Sequence, residues 1–168
     1  MNLRTPGQSS TVPRLIRFLL RDGSRIEGKV YLSRGQALAP YLSSRKSGWV
    51  NMVDTEGVSP RDRLAYLALQ SHHMLAAIPL EADVPVSGIG GITVTREVEL
   101  RLERGRRLRG KLHLSQGQRL ADYLHALGQF IPLAAAAFTD EPSEPADLVV
   151  NAQAVIGVTD ITSVPEGH

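Results

Sequence analysis

GKVYLSRGQALAPYL (Gly28–Leu42) and GKLHLSQGQRLADYL (Gly110–Leu124) are one phrase written twice in a single chain. Each opens on alternating apolar and polar residues, is punctuated by Ser-x-Gly-Gln, and closes on leucines and a tyrosine at helical spacing. From Arg21/Glu103 to Leu42/Leu124, 12 of 22 aligned pairs are identical. After a one-residue slip, Trp49–Met52 matches Phe130–Leu133, and Leu67–Ala77 matches Leu148–Val158. The chain reads as a tandem duplication. Its expected organisation is an N-terminal tail at 1–13, repeat 1 at 14–83, a linker at 84–94, repeat 2 at 95–162 and a C-terminal tail at 163–168.

Each repeat reads as five strands. Ile16, Phe18 and Leu20 recur at every second position, as do Val98, Leu100 and Leu102, the period of a half-buried strand. Asp22-Gly23 and Arg104-Gly105 supply hairpin turns. On the second strands Gly28 and Gly110 fall on the apolar face, where a missing side chain permits a sharp bend. Ser33-x-x-Gln36 and Ser115-x-x-Gln118 fit a capping box for a short helix. That helix is expected to bury Leu38, Tyr41 and Leu42 in one repeat and Leu120, Tyr123 and Leu124 in the other. Pro40 predicts a first helix that is shorter or starts later than its twin. WVNMV and FIPLA are third strands, followed by polar loops at 54–63 and 139–147. Fourth and fifth strands turn at Gln70-Ser71-His72 and Asn151-Ala152-Gln153. VPVSGIGG, with Pro85 and three glycines, is expected to be a flexible linker, and both tails are expected to be mobile.

LLRDGSRIEGKV, with its Asp-Gly turn and inward glycine, and WVNMVD, with its Asn, resemble the first and third strand segments of the Sm-like proteins (Sm, LSm and Hfq). The resemblance implies a mainly β chain of two tandem, strongly bent five-stranded sheets or barrels, each with a short helix between its second and third strands. It does not carry over the RNA pocket of that family. Asn51 stands at the expected Asn, but its counterpart is Pro132, and no Arg-Gly stands at Gln70-Ser71 or Asn151-Ala152.

The composition is that of a folded protein: 168 residues, 42% hydrophobic and 21% charged, with a formal net charge of +2. The absence of cysteine removes disulfides, thiolate nucleophiles and Cys-ligated zinc. Neither a secretory signal nor a membrane-length apolar run is evident, so the expectation is a cytoplasmic protein with no membrane partner. The richest charge cluster is RLERGRRLRGKLH, in which Arg107, Arg109, Lys111 and His113 share one face of a strand, with Arg104 and Arg106 at the adjoining turn. Such a stripe suits nucleic-acid phosphates or an acidic partner, but Lys and Arg are also ordinary on a solvated strand face.

Other motifs do not assemble a site. Adjacent His72 and His73 would point to opposite faces of a strand and so not chelate one ion, and they read as turn histidines; Gly88–Gly91 precedes a strand, not a helix N-terminus. Arg17-x-x-x-Arg21 matches only the start of a PilZ cyclic-dinucleotide motif. No carboxylate pair recurs in both repeats and no serine sits in a G-x-S-x-G elbow. The expectation is a non-enzymatic module with no cofactor or metal, binding a protein partner or itself; the alternative is a nucleic-acid (RNA) binder using the Arg101–His113 stripe.

Overall fold

The computed structural model describes residues 10–45, 47–59, 62–88 and 90–162. The expected tail segments 1–9 and 163–168 lie outside them. The strands are β1 (Thr11–Leu20), β2 (Arg25–Ser33), β3 (Trp49–Ser59), β4 (Asp62–Gln70), β5 (Met74–Pro79), β6 (Thr93–Leu102), β7 (Arg107–Ser115), β8 (Phe130–Phe138), β9 (Ala146–Asn151) and β10 (Val155–Asp160). Two short helices, α1 (Leu38–Ser43) and α2 (Leu120–Ala126), join the second and third strands of each half. The fold is mainly β, as the alternation requires.

Two separate barrels are not formed. All ten strands join one open antiparallel sheet in the order β10-β6-β7-β8-β9-β5-β1-β2-β3-β4. Within it each half repeats one order: fifth strand, first, second, third, fourth. The two halves match register for register. Ile16 opposes Gly28 as Val98 opposes Gly110. Trp49 opposes Gln70 as Phe130 opposes Asn151, and Phe18 opposes Ala77 as Leu100 opposes Val158. Both third strands bulge at one place, where Asp54 and Ala135 adopt φ of 50° and 47°. Gly28 and Gly110 face those bulges. A methyl added at Gly110 would lie 3.1 Å from the Ala136 Cβ, tighter than ordinary packing, so a neighbour would have to shift to admit it.

The Ser-x-Gly-Gln phrase makes a turn, and the helix begins after it. Gln36 N donates to the Ser33 carbonyl at 3.1 Å, and the Gln36 Oε1 accepts from the Ser33 amide at 3.0 Å. Ser115 and Gln118 repeat both bonds. Gly35 and Gly117 supply the positive φ inside those turns, at 71° and 80°. The helix N-caps are therefore Ala37 and Arg119, not the serines. Pro40 is tolerated because it falls in the first turn of α1, where its missing N–H has no intrahelical acceptor. α1 spans six residues and α2 seven.

Three other expectations change. β1 starts at Thr11, paired with Ser33, so part of the expected N-terminal tail is strand. The polar segment after WVNMV largely continues β3 and opens β4, where the expectation was a loop. The segment joining the halves is docked: Val84 and Val86 are buried, and the Pro85 and Val86 carbonyls accept from the Leu38 and Ala39 amides that open α1. Among the described residues, no helix is long and apolar enough to cross a membrane.

Candidate functional site

The chain has one junction of a kind that leaves an unmatched copy at each end. In the middle of the sheet β5 of repeat 1 pairs with β9 of repeat 2, Ala76 opposite Val150 and Ala77 opposite Val149. The cores interlock across it. Phe130 and Val149 of repeat 2 pack into the repeat-1 core with Leu38, Leu42 and Met74. Leu19, Leu75 and Ala76 of repeat 1 pack into the repeat-2 core with Leu100, Leu108 and Val150. Polar groups hold the register. Asn151, fully buried, donates to the Met74 carbonyl at 2.9 Å and to that of Ser71 at 3.4 Å. The Ser43 hydroxyl, at the end of α1, accepts from the Phe130 amide at 3.2 Å. Arg21 donates to Glu103 through Nε, at 3.0 Å, and Nη2, and its Nη1 donates to the His72 carbonyl at 3.0 Å.

The sheet ends on β4 at one side and β10 at the other. These are the repeat counterparts of β9 and β5, the two strands that meet in the middle. One apolar residue on β10 and one on β3 beside β4 are exposed where their counterparts are sealed. Phe130 is 1% exposed and its counterpart Trp49 is 44% exposed; Leu75 is 5% exposed and its counterpart Ile156 is 66% exposed. The helices differ likewise. Leu38 and Leu42 are fully buried under the joining segment and repeat 2, whereas Leu120 and Leu124 are only partly buried. A groove of about 450 Å³ runs between the helices, lined by Pro40 and Ser43 on one side and Tyr123, Leu127 and Phe130 on the other. Burial pushes the Tyr123 phenol above its ordinary pKa.

The basic stripe lies where the sequence places it, but it is not a free field of cations. Arg107, Arg109 and Lys111 are exposed along the outer face of β7. Glu99 on β6 takes Arg109 at 2.8 Å and Arg107 at 3.8 Å, and Glu97 stands opposite Lys111. Arg106 bonds Glu141 at 3.1 Å and lies over the Phe138 ring, 4.1 Å from its centre. His113 Nδ1 lies 3.3 Å from the Thr95 hydroxyl. Arg104 is exposed in the turn. His72 and His73 are exposed neighbours in a 3₁₀ turn, and among the described residues no three metal-ligating side chains gather.

Sequence reasoning missed the junction residues Arg21, Ser43, Phe130 and Asn151. No local signal separated junction from edge: MLAAI and LVV, which meet in the middle, are continuous apolar runs, and so are LAYLAL and AVIGV on the terminal strands. In comparisons with protein-family models, curated proteins and solved structures, nothing matches this chain.

Proposed function

We propose that this chain is a non-enzymatic protein-interaction and assembly module, built from a duplicated Sm-like β unit whose copies are fused edge to edge. Its working parts are the terminal strands β4 and β10. One observation carries the reading: Leu75 and Phe130, sealed at the central junction, have counterparts that are exposed, Ile156 on β10 and Trp49 on β3 beside β4. A terminal strand offers a row of unpaired backbone N–H and C=O groups. Natural proteins normally blunt such an edge with charge, proline or a covering element. Here β10 carries Ile156 outward, and Trp49 stands beside β4. Edge addition uses backbone hydrogen bonds for affinity and apolar side chains for specificity. The strand order and the bend glycines support the Sm-like unit.

The test is affinity capture with the native chain and with Val158→Pro: the Ile161 amide bonds Glu97 on β6, so in the alternating ladder the Val158 amide faces the free edge of β10 and proline removes it. Protein bound by the native chain and lost with Val158→Pro supports the module. Titration with single- and double-stranded DNA and RNA at low and physiological salt tests the alternative. Tight, salt-dependent binding abolished by Arg107→Ala with Arg109→Ala would overturn the protein-interaction reading in favour of a phosphate binder.

A further inference from the structure

We infer that the groove between the two helices is a docking site for a proline-rich peptide in the polyproline II conformation, whose carbonyls accept hydrogen bonds from Tyr123, Gln118 and Ser43. This site is separate from the sheet edges. The two copies of one tyrosine show why. Tyr41 of α1 is followed four residues on by Arg45, which donates to the Tyr41 hydroxyl and sets its guanidinium carbon 4.3 Å from the ring centre. Tyr123 of α2 is followed four residues on by Leu127, which cannot do either. Tyr123 is 4% exposed, and its hydroxyl has no hydrogen-bond partner among the described residues. No sealed side-chain oxygen or nitrogen among them lacks a partner, so this hydroxyl is not sealed and opens into the groove that Tyr123 lines. Burial raises the phenol pKa, which keeps the group an O–H donor at neutral pH. A tyrosine set this deep normally finds a partner for its hydroxyl.

Two further groups add donors to the same groove. The Gln118 carboxamide oxygen already accepts from the Ser115 amide at 3.2 Å, and the Ser43 hydroxyl oxygen accepts from the Phe130 amide at 3.2 Å. The Nε2 hydrogens of Gln118 and the hydroxyl hydrogen of Ser43 have no acceptor among the described residues. The rest of the lining includes Pro40, Leu127, Phe130 and Pro132, and among the described residues no charged side chain joins it. Unmet donors on neutral, apolar walls call for an uncharged occupant with carbonyl acceptors and few N–H groups of its own. Proline fits each demand, because its ring is apolar, its carbonyl accepts and it has no N–H. Proline runs hold the polyproline II form before they bind, with no internal hydrogen bonds, so little ordering opposes docking in an aromatic-lined groove. An added strand would instead bring an N–H at every residue and would need a strand edge beside it. The volume of about 450 Å³ suits one short segment, not a folded domain.

The probe is decaproline, acetylated and amidated so that it carries no charge, titrated into the full isotope-labelled chain and followed by amide chemical shifts. Saturable shifts should centre on Ser43, Gln118, Tyr123 and Leu127. Tyr123→Phe keeps the ring, removes the hydroxyl and should weaken binding about 2–12-fold, the worth of one hydrogen bond. Tyr41→Phe, whose hydroxyl serves Arg45, should leave the affinity unchanged; circular dichroism verifies that both variants fold. Failure of decaproline to bind at about millimolar, the range of weak association, would overturn the inference. So would equal binding by native chain and Tyr123→Phe, or shifts centred on β4 or β10. N-acetylproline methylamide binding as tightly as decaproline would mark a small-molecule pocket and overturn the peptide reading. Capture lost with Val158→Pro reports on the β10 edge alone, so failure at the groove and failure at the edge are told apart.

Discussion

At Gly28 the absence of one methyl group decides the path of two strands. An added Cβ would lie 2.7 Å from both Met52 Cε and Thr55 Cγ2, inside a packed core. Gly28→Ala should therefore cost about 1–3 kcal/mol, the usual cost of overpacking, read as a lower urea midpoint with unchanged slope. Ala135 has the opposite problem. It holds φ of 47° in the β8 bulge, where its counterpart Asp54 is better suited to the left-handed region. A left-handed residue carries about 1–2 kcal/mol of strain, and glycine returns about 0.5–1 kcal/mol of that as chain entropy. Ala135→Gly should thus raise stability by a net figure of about 0.5–1 kcal/mol. The Asp22 carboxylate is held below its ordinary pKa, first by the Ser24 hydroxyl and then by the Ser24 amide. A carboxylate depressed on folding stabilises the protein above its unfolded pKa, and that contribution is lost as pH falls through the folded one. Asp22→Asn should therefore shed less stability than the native chain between about pH 4 and pH 2, measured by denaturant melts. The bend glycines and the hairpin aspartate were readable in the sequence because each is a local steric or hydrogen-bonding demand. The strained alanine was not, since it belongs to a bulge set by the partner strands.

Elements of the two repeats share a sequence pattern but not an environment. α1 and α2 carry the same leucines and tyrosine, yet Leu42 is 1% exposed while Leu124 is only partly buried. Leu42→Ala should cost about 2–5 kcal/mol, the range for a fully buried leucine. Leu124→Ala should cost distinctly less in a dilute monomer, and thermal melts of the pair measure the difference. The helix phrase was visible from spacing alone. Its start was misplaced because the Gln36 carboxamide accepts from the Ser33 amide in this turn as it would in a capping box, whereas the Gln36 amide donates to the Ser33 carbonyl and not to the hydroxyl.

For the whole molecule, interlocked cores predict one cooperative unfolding transition, since neither half buries its apolar surface without the other. Asn151→Ala tests the seam. It leaves the Ser71 and Met74 carbonyls without the side-chain donor they have now and should cost about 1–3 kcal/mol. Gln70→Ala, at the matching free end, should leave the monomer nearly unchanged, and denaturation of both variants in dilute solution compares them. The duplication, the strands, the bends and the helical phrases were determined by the sequence alone, because periodicity, glycine geometry and turn chemistry act over a few residues. That the halves share one open sheet, with β5 against β9 and with β4 and β10 left as edges, was decided only by the tertiary structure. Backbone N–H and C=O groups are the same in every residue, so which edge meets which depends on how the apolar faces fit once both halves are bent, and no local pattern records that fit.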